Sequence, residues 1–174
     1  MSKHTLQSFI AILFIVSGVT GLVYQILWFK YLSLFLGNTT YAQTMVLSAF
    51  MGGLAIGSAV WGRKADKISR PLFLYGWLEF GIGGYCLLYP MLIRYVKEIF
   101  IQSVTLFALQ SDSAAVLGLK LIVSLLTVLP PTILMGGTLP VLVKTVSETV
   151  EESGRNVAVL YSLNSFGAVV GSIL

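Results

Sequence analysis

Long apolar runs alternate along this chain with short segments that carry most of its charge. A helix needs about 20 predominantly apolar residues to cross a bilayer. The run 6–29 has no charged residue over 24 positions. It is longer than the apolar stretch of about 7–15 residues in a secretory signal, and no small-residue cleavage pattern follows it. It is predicted to be a retained membrane span. The uncharged run 41–62 predicts a second span. The run 71–89 predicts a third, carrying one carboxylate, Glu79. Residues 114–143 predict a fourth, with Lys120 near its start, and 157–174 a fifth. The stretch 99–109 is apolar but too short to cross, and is predicted to lie along the interface or fold back on the bundle. The expected fold class is all-α: a polytopic membrane helix bundle of about five transmembrane helices, a single transmembrane domain over residues 1–174.

Composition supports the spans. Charged residues are 10% of the chain and hydrophobic residues 56%, against about 25% charged in soluble domains. So few polar side chains cannot coat a water-soluble globule. An ordinary soluble enzyme, a disordered regulator and a nucleic-acid-binding module are excluded, and no nucleic-acid partner is expected. The net charge of +4 is spread between apolar runs, where it reads as topology. With the N-terminus in the cytoplasm, the inside segments hold Lys3, Arg63, Lys64, Lys67, Arg70, Lys144 and Arg155. The outside segments hold Lys30, Arg94, Lys97 and Lys120. Seven against four favours this arrangement, which predicts a multi-pass protein of the cytoplasmic (inner) membrane with a cytoplasmic N-terminus. A single cysteine, Cys86, and a single histidine, His4, exclude an internal disulfide and a Cys- or His-rich metal site. No cofactor is expected.

Helices in lipid associate through small residues that let backbones approach. Span 2 has Ala49, Gly53 and Gly57 at four-residue spacing with Gly52 beside them, span 3 has Gly76, Gly81, Gly83 and Gly84, and span 5 has Gly167 and Gly171. Polar residues at membrane depth are the candidate site. Glu79 lies about 12 Å along span 3 at 1.5 Å per residue, where a charge is expensive unless it faces the bundle interior or finds a partner. Tyr24 and Gln25 in span 1, Asn38 and Gln43 around the start of span 2, and Asn164 in span 5 complete the set. Each reads as a cation or proton site or as a hydrogen bond between helices. Pro130 and Pro131 interrupt span 4 and predict a kink, since each removes a backbone donor and clashes with the preceding turn.

The loop after span 2 reads GRKADKISRP at 62–71. Gly62, Arg63, Asp66 and Arg70 resemble the loop motif G-x-x-x-D-[RK]-x-x-[RK] of major facilitator transporters, at the same place between spans 2 and 3. Asp66 can accept bonds from a helix N-terminus, and basic side chains can meet helix C-termini. The four residues are a candidate cytoplasmic latch. A wider resemblance rests on five strings in order: SGVTGLVYQILW at 17–28, GNTTYA at 37–42, FMGGLAIGS at 50–58, PPTILMGGTLP at 130–140 and LYSLNSFGA at 160–168. Together they resemble the membrane region of the spermidine synthase-like membrane proteins, related to the N-terminal half of facilitator transporters. That resemblance implies a half-facilitator-like bundle and polyamine-related chemistry or ancestry. In that family a soluble aminopropyltransferase-type domain usually follows.

No strand, Gly-rich loop and helix unit that could hold a nucleoside cofactor occurs in this sequence, so none of the family's transferase residues carries over. No catalytic residues are assigned. The apolar ending Gly171-Ser172-Ile173-Leu174 lacks an interfacial anchor and predicts a fragment or one subunit of something larger. The primary expectation is a non-catalytic membrane domain, an anchor or scaffold. Its expected partners are the lipid bilayer, other membrane subunits or a homo-oligomer, and a separate soluble transferase domain. The alternatives are part of a facilitator-like transporter for polyamines or other small cations, and the membrane half of an aminopropyltransferase.

Overall fold

The computed structural model describes residues 3–37, 39–106, 113–147 and 149–173. They form five helices and, among the described residues, no strand: α1 (Lys3–Leu36), α2 (Thr39–Ala65), α3 (Pro71–Leu106), α4 (Ala114–Val146) and α5 (Val150–Gly171). Local chemistry sets the boundaries. Gly37 ends α1 at φ 73°, the left-handed conformation that glycine adopts at a helix C-terminus without penalty. Pro71 opens α3, where its missing N–H has no partner to lose. Ser113 and Thr149 cap α4 and α5 by accepting from the N–H groups of Val116 and Glu152.

Four helices, α1 to α4, are long and apolar enough to cross a membrane. This is the composition of a multi-pass membrane protein. The stretch expected as the fifth span is also a helix, α5, 22 residues long, with Glu151, Glu152, Arg155, Asn156 and Asn164 along it.

The helices also run past the predicted spans. The 36 residues of α3 reach about 54 Å at 1.5 Å per residue, well beyond a hydrocarbon core of about 30 Å. Helix α3 passes through Pro90 to Leu106. The stretch predicted to lie apart from 99 onward is therefore the end of α3, with 107–109 outside the described residues. Packing explains the extension. Trp28, Leu32, Phe35 and Leu36 from the end of α1 are buried with Tyr89 and Ile93 of α3 and Val128 of α4, and Phe35 meets Phe100 edge-on with ring centroids 5.3 Å apart.

Neighbours run up and down in order. Gly53, Leu54, Trp61 and Gly62 of α2 meet Thr132, Gly136, Gly137 and Pro140 of α4, so these two helices are parallel. Ile15 and Val19 of α1 meet Gly167 and Gly171 of α5, again in parallel. Gly81 and Tyr85 of α3 meet Leu134 and Thr127 of α4 in the opposite sense. The end of α2 and the end of α4 therefore lie at one end of the bundle, together with Arg63, Lys64, Lys67, Arg70, Lys144 and Arg155.

Glycine makes two of these contacts possible. A Cβ on Gly57 would stand 2.1 Å from the Ile133 carbonyl oxygen, and one on Gly167 at 2.1 Å from that of Ile15. Gly53, against the Thr132 hydroxyl, and Gly171, against the Val19 carbonyl, also leave no room for a Cβ, as their spacing predicted. The glycines of α3 divide. Gly81 meets Leu134, but Gly76, Gly83 and Gly84 have nothing within 4 Å of a Cβ. They are not packing positions.

Pro130 and Pro131, where the sequence predicts a kink, both lie inside α4, which is one helix from Ala114 to Val146. Proline at 131 frees the carbonyl of residue 127, one turn earlier. That oxygen accepts a 2.7 Å hydrogen bond from the Tyr85 hydroxyl on α3. Neighbouring side chains that satisfy such carbonyls are what make proline tolerable in membrane helices.

Candidate functional site

Two apolar clusters fill the bundle. One surrounds Trp28, Val46 and Tyr89. The other surrounds Phe14, Tyr75, Leu142 and Leu160 toward the basic end. Between them lies a cavity of about 160 Å³ whose polar lining comes from Ser17, Thr20, Gln25, Glu79, Thr138 and Asn164. Helix periodicity places the α1 members. Ser17, Gly21 and Gln25 stand at intervals of four residues and share a face, with Thr20 beside them. Asn164 reaches the cavity because Gly18 lets α5 approach: its side-chain oxygen lies 3.1 Å from where a Cβ on Gly18 would be.

Glu79 is half-buried, and its Oε1 accepts a 2.8 Å hydrogen bond from Ser17 Oγ. Tyr75, one turn earlier on α3 and 5% exposed, comes within reach of both groups. No Lys or Arg pairs with Glu79 among the described residues; Arg94 pairs with Glu98 on the exposed face of α3. Glu79 also borders a groove of about 450 Å³ between α1 and α3, walled by Leu13, Val16, Tyr24, Leu72, Gly76 and Gly83.

Three of the six predicted intramembrane residues therefore meet in one cavity: Glu79, Gln25 and Asn164. Tyr24 borders the adjoining groove and stacks on Trp28 with centroids 6.3 Å apart. Gln43 is exposed and lines a second depression with Ile26, Phe29 and Leu47, which shares Gln25 and Leu22 with the cavity. Asn38 lies outside the described residues. Ser17, Thr20, Tyr75 and Thr138 were not singled out from the sequence. The spacing of Ser17 and Thr20 relative to Tyr24 was the available signal for the first two.

The candidate latch is present only as a set of positions. Gly62, in α2, packs on Pro140, its Cβ position 3.6 Å from the proline ring. Arg63 and Lys64 stand in the last turn of α2, where cations suit the helix dipole, and Lys64 lies 4.4 Å from the centre of the Trp61 ring. Asp66 and Arg70 are exposed, and the Asp66 carboxylate has no ion pair or hydrogen bond among the described residues. The latching contact is not formed in this conformation.

The chain matches no family model, no curated protein and no solved structure.

Proposed function

We propose that this chain is an integral membrane domain, or subunit, that anchors and holds together a larger assembly and contributes no catalytic residues of its own. The observation that carries this reading is the apolar outer surface of a tightly locked frame. Helix α2 is joined to α4, and α1 to α5, by main-chain contacts at glycine. Helix α3 meanwhile presents Phe73, Trp77, Phe80, Leu87, Leu88 and Met91 outward, each more than half exposed. Such a surface suits lipid and further helices and does not suit water. Resemblance to the spermidine synthase-like membrane proteins supports a half-facilitator-like ancestry, an inner-membrane location and a soluble transferase-type partner. The seven basic residues assigned to one side support a cytoplasmic N-terminus.

The test is purification from native membranes in mild detergent, followed by intact mass and identification of bound chains. The reading expects stoichiometric partner subunits or a homo-oligomer. A solitary protein that fulfils a measurable cellular role without partners would overturn it.

A further inference from the structure

The hydroxyls around the central cavity point to its ligand. Ser17 donates to Glu79 Oε1 at 2.8 Å. Thr20 Oγ1 donates to the main-chain oxygens of Val16 and Ser17, each at 3.1 Å. Thr138 Oγ1 donates to the Met135 oxygen at 2.8 Å. A hydroxyl has one proton and two lone pairs. All three have committed the proton to another partner, so toward the cavity they offer acceptor capacity only. Gln25 and Asn164 add amides, each with an acceptor oxygen and an NH2 donor, and a carboxylate with about four lone-pair sites keeps acceptor capacity beyond Ser17 and Tyr75. A carboxylate set among acceptor hydroxyls calls for a positively charged donor.

We propose that the cavity beside Glu79 binds a primary alkylammonium ion, with the Glu79 carboxylate as its counter-ion. An ammonium carries three donors and no acceptor, the complement of the Glu79 carboxylate and the three hydroxyls. One carboxylate balances one positive charge. Hard divalent ions take six or more oxygens, several of them carboxylate or main-chain carbonyl. Glu79 is the one carboxylate in the cavity lining, and no group of three His, Cys, Asp or Glu side chains occurs among the described residues. Leu22, Leu54, Ile82 and Met135 line the rest of the cavity and suit a short alkyl chain. The 160 Å³ volume equals about five waters at roughly 30 Å³ each, room for an ammonium group and a few methylenes. The groove between α1 and α3 provides the entry. Glu79 borders it, and Gly76 and Gly83 leave it open because nothing stands within 4 Å of a Cβ at either position.

The experiment is equilibrium dialysis of radiolabelled n-butylamine, as its ammonium at neutral pH, against the full chain in phosphatidylcholine nanodiscs, with protein-free discs subtracted. Saturable binding at one site per chain is expected, with sodium chloride failing to displace the amine at equal concentration. Glu79→Gln should weaken binding about tenfold or more, since bonds to charged groups are the strong ones. Thr138→Val keeps the shape, removes an acceptor and should weaken binding severalfold. Absence of saturable binding to a helical protein overturns the proposal, as does equal displacement by sodium. Unchanged affinity in Glu79→Gln also overturns it; if that variant does not fold, unchanged affinity in Thr138→Val decides the matter. No partner chain enters the assay, so the anchoring role stands or falls separately.

Discussion

Gly57→Ala adds one methyl group where α2 crosses α4. The new carbon would stand 2.1 Å from the Ile133 oxygen, 2.9 Å from its carbonyl carbon and 3.0 Å from the Gly136 Cα. Non-bonded carbons are comfortable at about 3.5–4.0 Å, so the helices must part locally by about 1 Å. All three neighbours are main-chain atoms, and none can rotate aside. The displacement loosens the tight contacts of Gly53 on Thr132, Leu54 on Gly136 and Trp61 on Gly137. Overpacking a well-filled site typically costs about 1–3 kcal/mol. With a rigid neighbour the upper half of that range applies, a fall of roughly 30- to 150-fold in the folded-to-unfolded ratio. The control is Gly76→Ala on α3, where nothing lies within 4 Å and alanine's better helix propensity makes the change neutral or stabilising by up to about 1 kcal/mol. Unfolding in mixed micelles of rising dodecyl sulfate content, followed by far-UV circular dichroism, compares the two. The midpoint should fall for Gly57→Ala and hold or rise for Gly76→Ala. Equal midpoints would mean that the α2 and α4 backbones do not meet at Gly57, and the reasoning about glycine-locked pairs would be wrong.

Two further outcomes are expected. Tyr85→Phe strips the Thr127 carbonyl of the hydroxyl that donates to it and should destabilise by about 1–3 kcal/mol; adding Pro131→Ala restores a main-chain donor to that oxygen, so the double variant should recover much of the loss in the same unfolding assay, and strict additivity would refute the link. Ser69 is exposed in the turn between α2 and α3; in a Cys86→Ser background, Ser69→Cys should react with a membrane-impermeant maleimide in inverted vesicles and stay unlabelled in intact cells, whereas labelling of intact cells would reverse the proposed orientation.

The all-α class and the approximate centres of the spans were legible because a run of uncharged residues such as 6–29 has few structural alternatives. The ends were not. Lys30 and Arg94 stood in segments expected outside the spans, yet both helices run on past them, with Phe35 meeting Phe100 edge-on, a contact between residues 65 positions apart that no local window registers. Glycine shows the same limit within one residue type. Gly57 and Gly83 both sit among small neighbours on apolar helices, but Gly57 touches a backbone and Gly83 faces an open groove. Spacing alone does not say which face meets a partner.

Pro131 and Glu79 show why the site was only half visible. Each is a local liability at membrane depth: one leaves a carbonyl without its helical donor, the other places a carboxylate among apolar side chains. The sequence identifies both liabilities and predicts a kink in α4 and an acid in α3 that must face the interior or find a partner, but it does not say which groups answer them. What resolves them is distant in sequence. Tyr85 supplies the donor for Thr127 across 42 positions, and Ser17 supplies one for Glu79 across 62. Because Tyr85 satisfies the freed carbonyl, α4 stays continuous and carries Thr138 to the level of Glu79. Because Gly18 admits α5, Asn164 arrives there too. The polar cavity is thus a consequence of how the helices solved their own packing, and its acceptor character follows from which hydroxyl protons those solutions used.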